Sequence, residues 1–445
     1  MRRPPERSIS ASSPGRAVPV ADVLEPLVAA LVGRPPVRLE FWDGSTLGPI
    51  DGPDALVVRS PMALRRMMWA PGELGIGRAY VAGEIDAVGD VFALLTALRP
   101  AGSELREPGA RRRALVAALK AARSLGVLGL PPAPPPEEAR QRGRLHSQRR
   151  DASAISHHYD VGNEFYEIVL GEAMTYSCAF FAHPDDDLAE AQAAKHELVC
   201  RKLGLHERAG LRLLDVGCGW GSMAMHAARH HGARVVGVTI SREQADYARR
   251  RVEAAGLGHL VEIRLCDYRE LLGERFDAIS SIGMFEHVGR GRMAEYFAIL
   301  RSLLGGHGRL LNHAISSVGG SKVSARSFVG RYVFPDGELI DVGDVVLGME
   351  RAGFEVRDVE SLREHYGRTL RAWVANLRAG WDRAVGLVGE HRARVWLLYM
   401  AASAIGFEDN GLAIHQTLGV VPGADGTSGM PSTRRALIEP VTLAV

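Results

Sequence analysis

The 445-residue chain has only four cysteines, Cys178, Cys200, Cys218 and Cys266, and no C-x-x-C pairing. That usage excludes a disulfide framework and gives no zinc signature, so no metal is expected and the pattern fits a reducing cytoplasm. No run of roughly 18 uncharged apolar residues occurs, which excludes a membrane-spanning helix and leaves a membrane-surface protein open. The N-terminal "MRRPPERSISASSPGR" is basic and rich in Pro and Ser but lacks the apolar core of a signal peptide. Residues 1–20 therefore read as a disordered tail. Excess charge is also missing: the formal net charge is +2, so a nucleic-acid partner is not expected. Hydrophobic residues make up 46%, enough for two or three domains with their own cores.

Three regions follow the tail. Residues 21–100 mix helix and strand patterns. "VRLEFWDGSTLGPI" reads as two strands about a turn at Asp43-Gly44, and Ser60 as the N-cap of a helix. The segment predicts a small N-terminal α/β domain, lipid-binding in character. Residues 101–150 are rich in arginine, and Pro131–Glu138 ("PPAPPPEE") predicts an extended spacer. Before it, "RRRALVAALKAARSLGVLGL" predicts a helix with Leu115, Leu119 and Ala122 on one face and cations elsewhere. Such a helix either packs on its own protein as a linker or lies on an anionic lipid surface. Residues 151–445 alternate strand and helix signals. "LRLLDVGCGWG", "ARVVGVTIS", "LVEIRLCDY", "FDAISSIG" and "GRLLNHAIS" read as five strands in order, which predicts a doubly wound, mostly parallel α/β sheet.

The first of these strands carries the clearest site. Gly217, Gly219 and Gly221 form a G-x-G-x-G loop, not the G-x-G-x-x-G of dinucleotide folds. Asp215 precedes the loop, and a second strand ends about 20 residues later, where a ribose would lie. The combination favours S-adenosylmethionine (AdoMet) over a nicotinamide cofactor. An acidic residue is missing at the end of that second strand, which runs Val238-Thr239-Ile240-Ser241. Glu243 and Gln244 are the next polar candidates, with Gln244 the expected ribose partner. Asp267 and Tyr268, after the third strand, fall where adenine would sit.

"HHYDVGNEFYEIVLGEAMTYSCAFF", "LLDVGCGWG", "VVGVTISREQ", "SIGMFEHVG", "RYVFPDGEL" and "HYGRTLRAW" together resemble the cyclopropane fatty acid synthases, over roughly residues 151–420. The resemblance implies an AdoMet-dependent enzyme that modifies the cis double bond of acyl chains. It implies cofactor contacts at Tyr176 and Ser177, along Leu214, Asp215, Gly217, Cys218, Gly219, Trp220 and Gly221, at Thr239, Ile240, Ser241 and Gln244, and at Asp267 and Tyr268. It also implies a bicarbonate ion beside the transferred methyl, at Cys178, Glu286, His313, Ile315 and Tyr366. The N-terminal domain matches the phospholipid-acting members, so the expected partners are unsaturated phospholipid acyl chains at the membrane surface. A peripheral, cytoplasmic location and a homodimer are implied too. Within the family the chain looks most like the branch linked to tuberculostearic acid, whose products carry a methylene or methyl branch.

These positions suit the chemistry. An alkene is a poor nucleophile, so the sulfonium must be held against it in a site that excludes water. Methyl transfer leaves a carbocation, which needs a weak base to remove a proton. Glu286 follows the fourth strand and His313 lies on the fifth, and a doubly wound sheet gathers ligands at the carboxyl ends of its strands. His287 is assigned to structure. Cys178 is read as packing against the anion and offering its backbone, not as a covalent nucleophile. "HHYDVGNEFY", with His158, Tyr159 and Asn163, is either a lid over the cofactor or a plain helix start. Two other functions compete: methyl transfer to oxygen or nitrogen of a small molecule, and lipid binding without catalysis.

Overall fold

The computed structural model describes residues 18–97, 108–139, 161–320, 327–334 and 337–434. It divides into two compact units, Met1–Ala133 and Pro134–Val445. The division falls inside the proline-rich stretch, where missing backbone donors discourage regular structure.

In the first unit, α1 (Val20–Val32) precedes strands β1 (Arg38–Phe41), β2 (Thr46–Leu47) and β3 (Ala55–Val58), then α2 (Pro61–Trp69), α3 (Glu73–Val81), β4 (Ile85–Val88), α4 (Val91–Ala97) and α5 (Pro108–Ser124). The sheet order is β2-β1-β3-β4, with β1 and β3 parallel. Ser60 caps α2, its Oγ accepting from the Met62 N–H at 3.1 Å. Helix α5 is part of this unit and packs on α1. Its buried face is Ala114, Ala121 and Ala122. The expected apolar face is thus split: Ala122 turns inward, while Leu115 and Leu119 stay 61% and 51% exposed. Small alanines let α5 approach α1 closely, and the larger side chains are left outside.

The second unit holds a seven-stranded sheet in the order β10-β11-β9-β8-β5-β6-β7. Its helices before β5 are α6 (Asn163–Leu170) and α7 (Leu188–Lys202). The five expected strands are β5 (Arg212–Val216), β6 (Arg234–Thr239), β7 (Val261–Leu265), β8 (Phe276–Ile282) and β9 (Leu304–Ser316), all mutually parallel where they pair. Helices α8 (Ser222–His231), α9 (Arg242–Ala254) and α10 (Met293–Ser302) connect them. The chain continues through α11 (Phe328–Tyr332), α12 (Val342–Arg351), β10 (Glu355–Ser361), α13 (Arg363–Ala379), α14 (Trp381–Val388), α15 (Glu390–Glu408) and β11 (Ala413–Val420). Strands β10 and β11, which sequence pattern did not reveal, extend the sheet: β11 pairs antiparallel with β9, and β10 pairs antiparallel with β11. Two apolar layers, one on each face of the sheet, make the core. Burial on both faces explains why β8 reads as a nearly continuous run of apolar and small residues. Among the described residues, no helix is long and apolar enough to cross a membrane.

Candidate active site

A cavity opens at the carboxyl ends of β5, β6, β7 and β8, as strand order in such sheets dictates. Its lining includes Tyr176, Ser177, Asp215, Gly217, Cys218, Gly219, Trp220, Thr239, Ile240, Gln244, Asp267 and Tyr268. Three expected positions stand back from it. Leu214 is in the apolar core, Gly221 takes a left-handed turn that opens α8, and Ser241 caps α9 by accepting from the Gln244 N–H at 3.3 Å. The glycine loop folds over β6: the Gly217 and Cys218 N–H groups both donate to Val238 O, at 2.9 and 3.0 Å. At Gly219 a Cβ would meet no protein atom within 4 Å, but its φ of +54° favours glycine.

Of the two polar candidates after β6, Gln244 is the one that lines the cavity. Gln244 is buried in the cavity wall and its Oε1 accepts from Thr239 Oγ1 at 2.9 Å, whereas Glu243 is exposed and takes the Ser241 hydroxyl. Asp267 is held by Arg269, Nη2 to Oδ2 at 2.5 Å. Asp215 accepts from Ser280 Oγ at 2.7 Å through Oδ1, and its buried Oδ2 has no partner. Burial pushes its pKa to about 6, against the Ser280 hydrogen bond and the nearby Lys195. An acceptor oxygen left bare in a cavity wall suits a ligand amine.

Sequence reasoning missed Lys195, His196, Met284, Arg269 and Arg292 in the lining, and assigned His287 to structure although it lines the cavity too. Lys195 is 1% exposed and donates to Ser177 Oγ at 3.0 Å. Burial brings its pKa down to about 8, and Cys178 and Asp215 pull it back up. Burial alone lowers the His287 pKa to about 4, so the ring is neutral. Only the polar residue in an otherwise buried helix face could have signalled Lys195.

Next to this cavity stands an aromatic group. Tyr176 stacks on Trp373 at 5.1 Å, Tyr166 meets Trp220 at 4.7 Å, and Trp396 contacts Tyr166 and Tyr176. Asn163 Oδ1 accepts from the Trp220 indole at 2.7 Å, which ties α6 to the glycine loop. His158 and Tyr159 lie outside the described residues.

The five positions implied for the anion do not line the cavity. They form a separate layer, in which Cys178, His313 and Tyr366 are buried and Glu286 and Ile315 half-buried. Glu286 sits between Met284 and His287 of the wall, and its Oε1 accepts from the Ile315 N–H at 2.7 Å. His313, two residues earlier on β9, accepts from the Gly283 N–H through its carbonyl at 2.9 Å. Cys178 and Tyr366 come together from another side: both the Cys178 Sγ, at 3.6 Å, and the Tyr366 N–H, at 3.1 Å, reach Leu362 O. Lys195 interacts electrostatically with both Cys178 and His313.

Two atoms in this layer are conspicuous. Glu286 Oε2 and His313 Nε2 are buried with no partner. Gln416 Nε2 lies 3.4 Å from His313 Nδ1, so as the amide is placed the ring proton belongs on Nε2. The pair is a bare acceptor and a bare donor. Burial raises the Glu286 pKa to about 7, with the Ile315 N–H opposing, and holds His313 neutral well below its ordinary range. An anion that carries one hydroxyl offers both a donor and an acceptor. Cys178 does not suit a nucleophile: burial drives its thiol pKa far up, so it carries no thiolate.

Residues 146–417 match the family described as mycolic acid cyclopropane synthetase. The chain belongs to that family. A probable fatty acid methyltransferase of Mycobacterium tuberculosis is 45% identical over 93% of this chain and 97% of its own length. The tuberculostearic acid methyltransferase UfaA1 of the same organism is 33% identical over 86% of this chain and 87% of its own. A solved structure of the mycolic acid cyclopropane synthase CmaA1 with SAH and CTAB superposes with a TM-score of 0.56 and 32% identity, over 60% of this chain and 98% of that one. The chain is therefore an AdoMet-dependent methyltransferase with a class I fold. At family level its activity is methyl or methylene transfer to fatty acyl chains.

Proposed function

We propose that the protein transfers a methyl or methylene carbon from AdoMet to the cis double bond of unsaturated acyl chains in phospholipids. Bicarbonate is the base, and the product is a methylene-branched or cyclopropane chain. The observation that carries this reading is the bare pair, Glu286 Oε2 and His313 Nε2, behind the cofactor wall. Methyl transfer to a heteroatom does not need an anion there; a carbocation route does. When bound, AdoMet supplies the electrophilic methyl group and bicarbonate supplies a weak base.

The chain's own groups do the rest. Asp215 and Gln244 anchor the cofactor, and Tyr176 and Trp220 present aromatic surface in the wall, which favours a nearby sulfonium. Glu286 accepts the anion's hydroxyl and His313 donates to its oxygen. Tyr366 and Cys178 bound the site, and the ammonium of Lys195 favours negative charge near Cys178 and His313. The surrounding aromatics exclude water that would trap a cation.

Phospholipid as the carrier of the acyl chain is supported by the first unit. On α5 an outward face combines Leu115, Val116 and Leu119 with exposed Arg112, Lys120 and Arg123. Apolar residues flanked by cations are the pattern of a helix lying on an anionic bilayer. The likeness to UfaA1 favours the methylene-branched product.

Labelled AdoMet and vesicles of unsaturated, anionic phospholipid test the reading. We expect label in the acyl chains and vinylic methylene signals in their proton NMR spectrum. Cyclopropane signals alone would overturn the preference for the methylene branch, and label confined to small amines or hydroxyls would overturn the substrate. Replacing Arg112, Lys120 and Arg123 by glutamine should weaken vesicle binding about 100-fold, at about 1 kcal/mol per cation.

A further inference from the structure

Away from the cofactor cavity, α7 and α8 bring a second set of reactive side chains together. Cys200 lies on α7, and His226 and His231 lie on α8. One donor atom from each falls within 4.8 Å of the others. Glu197, one turn before Cys200, places Oε2 at 3.3 Å from His226 Nε2 and 2.8 Å from His231 Nε2. Arg201 donates to its other oxygen at 2.9 Å. Cys200 is fully buried, and the His226 and His231 side chains are each 8% exposed. Beside them His196 has a buried Nε2 with no partner, and its ring lies 5.6 Å from that of His226.

We propose that Cys200, His226 and His231 bind a zinc ion, with the Glu197 carboxylate as the anionic partner that holds the two imidazoles. One thiolate and two imidazoles suit a borderline-soft, tetrahedral cation better than magnesium or calcium, which take oxygen. Tetrahedral zinc places such donors roughly 3.3–3.6 Å apart, from bond lengths of about 2.3 Å to sulfur and 2.0–2.1 Å to nitrogen. Side-chain rotation covers the difference from the observed spread. Binding releases the thiol proton to solvent, and the ion's charge replaces it.

The spacing hides this site from the sequence, because E-x-x-C and H-x-x-x-x-H lie on separate helices. Its consequence is mechanical. Helix α7 also carries Lys195 and His196, and α8 carries Ser222 and Met223, all four in the wall of the AdoMet cavity. An ion between the helices fixes that wall. The proposal does not depend on the acyl substrate or on bicarbonate.

The test uses the full-length protein, stripped with a chelator and reloaded. One equivalent of zinc per chain should be retained through gel filtration and should raise the unfolding temperature. Cobalt in its place should give a thiolate-to-cobalt charge-transfer band and tetrahedral d–d bands. Cys200→Ala should lose the charge-transfer band and weaken zinc binding at least about 10-fold, and His231→Gln should weaken it comparably. His259→Gln, in an exposed turn outside the donor set, should leave both unchanged. Circular dichroism checks that each variant is folded. Absence of stoichiometric zinc together with absence of the cobalt–thiolate band in the folded wild type overturns the site. A band that persists in folded Cys200→Ala overturns the assignment of the thiolate.

Discussion

The cavity at the strand ends and the layer that holds Glu286 and His313 are built differently. The cavity takes its shape from strand ends and a glycine loop, so most of its contacts come from contiguous segments: Asp215 to Trp220, Thr239 to Gln244, Asp267 and Tyr268. The layer behind it takes single side chains from distant segments, and holds them buried with Glu286 Oε2 and His313 Nε2 unsatisfied. A binding site for a large ligand can rest on backbone. A layer of single side chains rests on a few desolvated atoms, each costly to leave bare. The two should therefore fail in different ways.

The largest separation is expected from Glu286→Gln. Turnover at saturating AdoMet should fall about 100- to 10,000-fold, while AdoMet affinity by calorimetry stays near wild type. A collapse of affinity with unchanged turnover would erase the distinction between the two regions. Asp215→Asn is the mirror image. Removing a charged acceptor from the cavity wall should weaken AdoMet about 10- to 100-fold, with a smaller effect on turnover once the site is saturated.

Stability against pH sharpens the comparison further. Glu286 has its pKa raised to about 7 by burial, from an ordinary 4.5, and a raised acid binds its proton more tightly in the folded state. Its stabilising contribution is complete below the ordinary carboxylate range and is lost as pH rises through about 7. The loss is at most on the order of 3 kcal/mol, from about 1.4 kcal/mol per pKa unit. The unfolding temperature of the ligand-free protein should fall across that window, and Glu286→Gln should flatten the fall. Bicarbonate, by satisfying the bare pair, should raise it.

The smallest effect is predicted for Cys178→Ser. A neutral, buried thiol that only bounds the anion should tolerate replacement, with activity within about 10-fold of wild type. Activity of both proteins should drop in buffer stripped of carbon dioxide and return with added bicarbonate. A folded but inactive Cys178→Ser protein, or rates indifferent to bicarbonate, would show that the layer behind the wall works by other chemistry.

Much of this was legible in the chain itself. The strands β5 to β9 are apolar runs bounded by turn residues, and local chemistry of that kind survives in one dimension. The glycine loop and Asp215 are legible for the same reason, since their partners lie within a single strand–loop–helix unit. Glu286 and His313 could be placed at strand ends, which a doubly wound sheet collects at one edge. Tertiary structure alone decided what those ends meet. It set Ile315 N–H on one oxygen of Glu286 and left the other bare, and it brought Gln416, about 100 residues away, to His313. It turned Leu115 and Leu119 of α5 outward, because helix periodicity shows which residues share a face but not which face another helix covers. It also placed Lys195 and His287 in the cavity and gathered Cys200, His226 and His231 across two helices. Contacts between residues far apart in sequence depend on how helices and strands pack, and no periodicity encodes them.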